Sequence, residues 1–87
     1  MHVFQLFVPS AKGEIEQSIA DLQNALKEKL GEEISFQIVE ILKNPHLAEV
    51  HKIEVTPTLQ KTHPPPLRRF VGDIRNLSAI FNALQIF

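Results

Sequence analysis

Residues 14–30 read EIEQSIADLQNALKEKL, and their reading, set between the apolar runs VFQLFV (3–8) and ISFQIVEIL (34–42), decides the fold. Ile15, Ile19, Leu22, Leu26 and Leu30 recur at steps of four, three, four and four, which places them on one stripe of a helix. Acidic Glu14 and Glu16 in the first turn, basic Lys27 and Lys29 in the last, and Gly31 just beyond suit the helix dipole and a glycine stop. The two flanking runs are near-continuous in apolar, β-branched and aromatic residues, as in strands buried on both faces of a parallel sheet. Pro9 and Ser10 close the first run. A strand, a helix and a second parallel strand cross over right-handedly, so residues 2 to 42 have one expected topology.

Beyond this unit the signals are shorter. Asn44-Pro45 reads as an N-cap followed by proline in the first helical position, opening a short helix through about His51 in which Leu47 is expected to face the core. Val55-Thr56-Pro57-Thr58-Leu59 leads into a strand ending near His63, Pro64-Pro65-Pro66 interrupts it, and Leu67 to Val71 resumes an extended pattern. These two strands are expected to pair antiparallel. Three prolines do not fit a two-residue hairpin turn and predict a stiff, extended, exposed loop. After Gly72-Asp73, Leu77, Ile80, Phe81 and Leu84 mark a helix over 76–84, with Asn76 or Asp73 as its cap. The order is βαβαββα, an α/β fold with a mixed four-stranded sheet, and residues 1–87 contain no repeat or linker that would divide them into two domains.

Composition removes several function classes. Hydrophobic residues make up 44% of the chain and charged residues 22%, which is ordinary for a folded domain. A net charge of -1 supplies no general attraction to nucleic acid or anionic membranes, and the apolar start is too short to span a bilayer. A cytoplasmic protein is expected. With no cysteine, there is no thiolate nucleophile, disulfide or cysteine metal site. His46 and His51 stand about 140° apart on a helix, and His2 and His63 lie in separate segments, so no metal site is expected. No Gly-x-Ser-x-Gly elbow surrounds a serine, and Gly13, Gly31 and Gly72 form no phosphate-cradling loop. The expectation is a non-enzyme without cofactor that works by binding another protein.

The element order is that of thioredoxin-like folds, which usually carry a cis peptide where Thr56-Pro57 stands here. More specific are LKNPHLAE (42–49) and TPTL (56–59), followed by PPPLRR (64–69) and Gly72-Asp73. These strings and their spacing resemble the KaiB family of cyanobacterial clock proteins, a domain type shared with the sensory region of the SasA histidine kinase. The resemblance implies a partner, the ring ATPase KaiC. It also implies either a dimeric or tetrameric state with the second half rearranged or a thioredoxin-like monomer that assembles on the partner.

The surface over residues 43–73 then carries the candidate contacts Lys43, Asn44, Glu49, Pro64, Pro65, Pro66, Arg68, Arg69 and Asp73. Each also has a plainer reading. Asn44 caps a helix, Lys43 and Glu49 are solvated, the prolines hold a loop, and Pro57 is structural. Arg68 and Arg69 occupy adjacent strand positions and point to opposite faces, so that one meets an acidic partner while the other pairs internally. A competing reading from another class is a redox-type protein that has lost its cysteines and retains glutathione binding near Thr56-Pro57.

Overall fold

A computed structural model describes all 87 residues. The elements are β1 (His2–Val8), α1 (Ile15–Leu30), β2 (Ile34–Glu40), α2 (Pro45–Val50), β3 (Thr58–His63), β4 (Arg68–Val71) and α3 (Leu77–Leu84). The strands form one sheet in the order β2-β1-β3-β4, with β1 parallel to β2 and antiparallel to β3, and β3 antiparallel to β4. This is the thioredoxin-like α/β arrangement with a mixed four-stranded sheet, and the second half is not rearranged.

The expected stripe on α1 supplies Ile19, Leu22 and Leu26 to the core, where they meet Phe4, Leu6 and Val8 of β1, Leu59 of β3, and Ile74, Ile80, Leu84 and Ile86 around α3. Alternation along β1 puts Phe7 on the other face, where it is fully buried and its ring centroid lies 5.3 Å from that of His51, just past α2. Thus α1 and α3 cover one face of the sheet, and the end of α2 covers part of the other. Gly31, at φ +94, ends α1 in a conformation that L side chains rarely adopt, and its N–H donates to the Lys27 carbonyl at 2.7 Å.

Three expectations are corrected. The second strand ends at Glu40, two residues before Leu42, and among its residues only Val39 is buried. The cause is its place at the sheet edge, where it has a single neighbour, so its apolar run is not enclosed on both faces. Leu47 is half-buried, and α2 has no buried residue. Pro64 to Pro66 are exposed as expected, but the backbone bends at all three, so the loop is not an extended rod. Thr56-Pro57 is cis, as the resemblance implied.

Gly72 to Asn76 joins the sheet to α3. The Asp73 carboxylate accepts from the Arg75 backbone N–H at 2.9 Å and from Arg75 Nη2 at 2.7 Å, and the Asn76 side chain caps α3 by accepting from Ala79 N–H at 3.2 Å.

Leu22 and Leu26 are fully buried, so Leu26→Ala is expected to lower unfolding stability by about 2–5 kcal/mol in urea titration, whereas Leu42→Ala, on an exposed side chain, changes it by less than about 0.5 kcal/mol. The Arg75 side-chain hydrogen bonds, chiefly, and then the Arg75 backbone N–H hold the Asp73 carboxyl at about 2, below its ordinary 3.8. Its folded pKa being depressed, the contribution of this pair to stability is present above the ordinary carboxyl value and is lost as pH falls toward 2. An NMR titration should show the Asp73 midpoint near 2 in the native chain and closer to the ordinary value in Arg75→Ala.

Candidate partner-docking surface

The sheet register divides the candidate contacts between two ends of the molecule. At one end Val8 pairs with Glu40, Phe7 with Thr58, and Thr58 with Val71; at the other, His2 pairs with Ile34, Val3 with His63, and Lys61 with Arg68. Lys43, Asn44 and Asp73 follow strands that finish at the first end, whereas Pro64, Pro65, Pro66 and Arg68 belong to the second. They form no single cluster.

At the first end, the turn from β2 into α2 is held by backbone bonds from Ile41 N–H to the Val8 carbonyl at 2.8 Å and from Leu42 N–H to the Pro9 carbonyl at 3.2 Å. Glu40 organises this turn. Its carboxylate accepts from Ala11 N–H at 3.1 Å and lies 3.4 Å from Lys43 Nζ, and the Ala11 bond, ahead of Lys43, lowers its pKa. Asn44 occupies the N-cap position of α2 without capping it, because its side-chain amide donates instead to the Glu40 carbonyl at 3.3 Å. Pro45 takes the first helical position, where its missing N–H costs nothing. The result is a well-tied turn and a short helix that present Leu42, Lys43, Glu49 and Val50 to solvent. Leu42 is 76% exposed and Val50 65% exposed, high values for large apolar side chains on adjoining segments.

The face continues past α2. A groove of about 340 Å³ is lined by Lys52, Ile53, Glu54, Val55, Thr58, Arg69 and Val71, with Val55 and Val71 both more than half exposed. Arg69 is committed inside the chain. Its Nε donates to Gln60 Oε1 at 2.9 Å, Nη1 to the Lys52 carbonyl at 3.2 Å, and Nη2 to the His51 carbonyl.

At the second end, Lys61 lies buried directly opposite half-buried Arg68 and donates from Nζ to the Pro64 carbonyl at 2.8 Å, holding the proline loop against the strand. Arg68 has no acidic partner within salt-bridge distance, since the ion pairs are Lys27–Glu32, Lys43–Glu40 and Arg75–Asp73. A separate hollow of about 360 Å³ lies beside Pro57, lined by Glu14, Ile15, Ser18, Asp73, Ile74 and Arg75, and none of these carries a thiol. No group of three His, Asp or Glu side chains converges as a metal site, and no helix is long and apolar enough to cross a membrane.

Sequence reasoning overlooked Glu40, His51 and Gln60, whose roles depend on partners 29, 44 and 55 residues away. Nothing in local spacing marks such long-range bonds.

Residues 5–86 match the family model of the KaiB domain. The chain is 37% identical over 84 residues to the circadian clock protein KaiB3 of Synechocystis sp., covering 97% of this chain and 82% of that protein. It is 34% identical over 85 residues to the circadian clock oscillator protein KaiB of Thermostichus vulcanus, covering 98% of this chain and 79% of that one. Among solved structures, the N-terminal domain of Synechococcus elongatus SasA superposes with a TM-score of 0.69 at 26% identity, over 91% of this chain and 76% of that one. The Drosophila melanogaster thioredoxin Deadhead shares the fold with a TM-score of 0.66 at 18% identity, over 95% of this chain and 80% of that one. The chain belongs to the KaiB family.

Proposed function

We propose that this chain is a non-catalytic clock module, acting as one cytoplasmic domain, that docks on a KaiC-type ring ATPase through the face formed by the β2–α2 turn and α2, and so modulates the ring's phosphorylation cycle. The observation that carries the choice of face is that α2 buries none of its residues while it and the preceding turn expose Leu42, Lys43, Glu49 and Val50. A helix that contributes nothing to the core is free to contribute to an interface, and an apolar pair flanked by charges has the composition of a docking patch with a polar rim. Family membership supports the partner class, and along the turn and helix Lys43 and Lys52 are matched by Glu49 and Glu54, which suits a mixed polar rim and not a counter-surface of one sign.

A second reading, favoured by the SasA N-terminal domain's superposition, is the sensory domain of a SasA-type histidine kinase. A kinase core encoded in frame downstream would decide for it. The oligomeric state follows the same division: this arrangement belongs with a monomer that assembles on its partner, and light scattering that finds a dimer or tetramer would point to a rearranged second half.

Mixed with an ADP-loaded KaiC hexamer, the chain is expected to co-elute in gel filtration, and failure to do so under nucleotide conditions that recruit other KaiB proteins removes the reading. Leu42→Asp and Lys43→Glu should each weaken ring binding by about tenfold or more, measured by biolayer interferometry. Arg68→Glu, at the opposite end of the sheet, should weaken it by less than about threefold. The reverse ranking would transfer the contact to the proline loop.

A further inference from the structure

α2 is attached to the protein in an unusual way. It has six residues, whereas isolated helices shorter than about 12–15 residues are marginal in water, and it gains no help from a buried side chain or from a basic residue in its last turn. It ends in a Schellman motif, with Ile53 N–H donating to the Ala48 carbonyl at 2.8 Å and Lys52 N–H to the Glu49 carbonyl at 3.1 Å. The left-handed position of that motif usually belongs to glycine, but here Lys52 occupies it at φ +56. Something outside the helix must favour the turn.

Arg69 of β4 meets that need. Its two terminal nitrogens donate to the carbonyls of His51 and Lys52, the residue that ends the helix and the left-handed residue after it. A guanidinium at this point satisfies the His51 carbonyl, which the helix leaves open, ties it to the carbonyl of the left-handed Lys52, and places a positive charge at the negative end of the helix dipole. The aim of the guanidinium is set from the sheet. Gln37, Gln5, Gln60 and Arg69 stand in one row across all four strands. Gln5 Nε2 donates to Gln37 Oε1 at 3.2 Å, Gln60 Nε2 to Gln5 Oε1 at 2.5 Å, and Arg69 Nε to Gln60 Oε1 at 2.9 Å. Because Gln60 is buried and its amide nitrogen is committed to Gln5, its oxygen is fixed toward β4, where it takes Nε and leaves the other two nitrogens directed at the turn.

We propose that Arg69 is a positioning residue that caps the C-terminus of α2 from a neighbouring strand, aimed by the glutamine row, and thereby holds the docking helix in place for its partner. The part concerning the partner rests on the reading of the α2 face given above. The cap itself does not.

Amide hydrogen exchange and ring affinity, measured on the same variants, test the proposal. In Arg69→Ala the His51, Lys52 and Ile53 amides should exchange about tenfold faster or more, while β1 and α1 amides change by less than about twofold. Arg69→Lys, which keeps the charge and loses the fork, should fall between the two. Gln60→Leu should also accelerate exchange in α2 and weaken ring binding, although the arginine remains, an effect that direct contact between Arg69 and the partner does not produce. Unchanged exchange at 51–53 in Arg69→Ala, or equal acceleration throughout the chain, overturns the cap. Faster exchange with undiminished ring affinity supports the cap and overturns docking through α2.

Discussion

The structure depends on β1 being paired on both sides and packed on both faces. Its parallel bonds to β2 require the crossover that α1 provides, and its antiparallel bonds to β3 bring the second half of the chain against the first. Phe4, Leu6 and Val8 give α1 and α3 a common surface to bury, while Phe7 on the reverse face receives His51. The same pairing sets Gln60 beside Gln5 and Thr58 beside Phe7, so the polar row that runs out to Arg69 starts from this strand. Few other positions serve both the hydrophobic layer and the network that holds the exposed helix.

What could be read from sequence follows from the range of the interactions involved. The five-residue stripe of α1 and the apolar run of β1 are local patterns of period 3.6 and of continuous hydrophobicity, and both elements appear where those patterns stand. The run over 34–42 failed in a particular way. It predicted a strand correctly but not its burial, because the same apolar string serves a central strand and an edge strand that leans on one neighbour. Asn44 failed for a similar reason, since its residue type suits a cap, but the Glu40 carbonyl is also within reach and takes its side-chain amide. The candidate contacts lie within one stretch of the chain, 43–73, and only the strand register shows that they divide between opposite ends of the sheet.

The adjacent arginines show how a strand gives like residues unlike work. Alternation sends Arg68 to the face shared with Lys61 and Phe4, where two cations lie opposite each other and neither has a carboxylate. Arg69 turns to the other face and finds three oxygen acceptors within its own chain. The expectation that the pair would diverge came from the period of the strand alone. Which arginine would turn inward depended on Gln60, fixed by a bond to Gln5, and on carbonyls supplied by a helix end some 18 residues earlier in the chain.

That division bears on how an exposed helix with no buried residue is held in place. Binding a mobile segment costs ordering free energy at the moment of association, whereas a segment already fixed has met that cost on folding. Burying α2 would fix it but would remove its side chains from the surface. Tying it by its terminal carbonyls fixes the backbone and leaves Glu49 and Val50 free. The polar tie also has a consequence that apolar packing lacks. It rests on the geometry of three successive hydrogen bonds across the sheet, so Gln5 and Gln60 act on the tie at the end of α2 from positions that do not belong to the surface α2 presents.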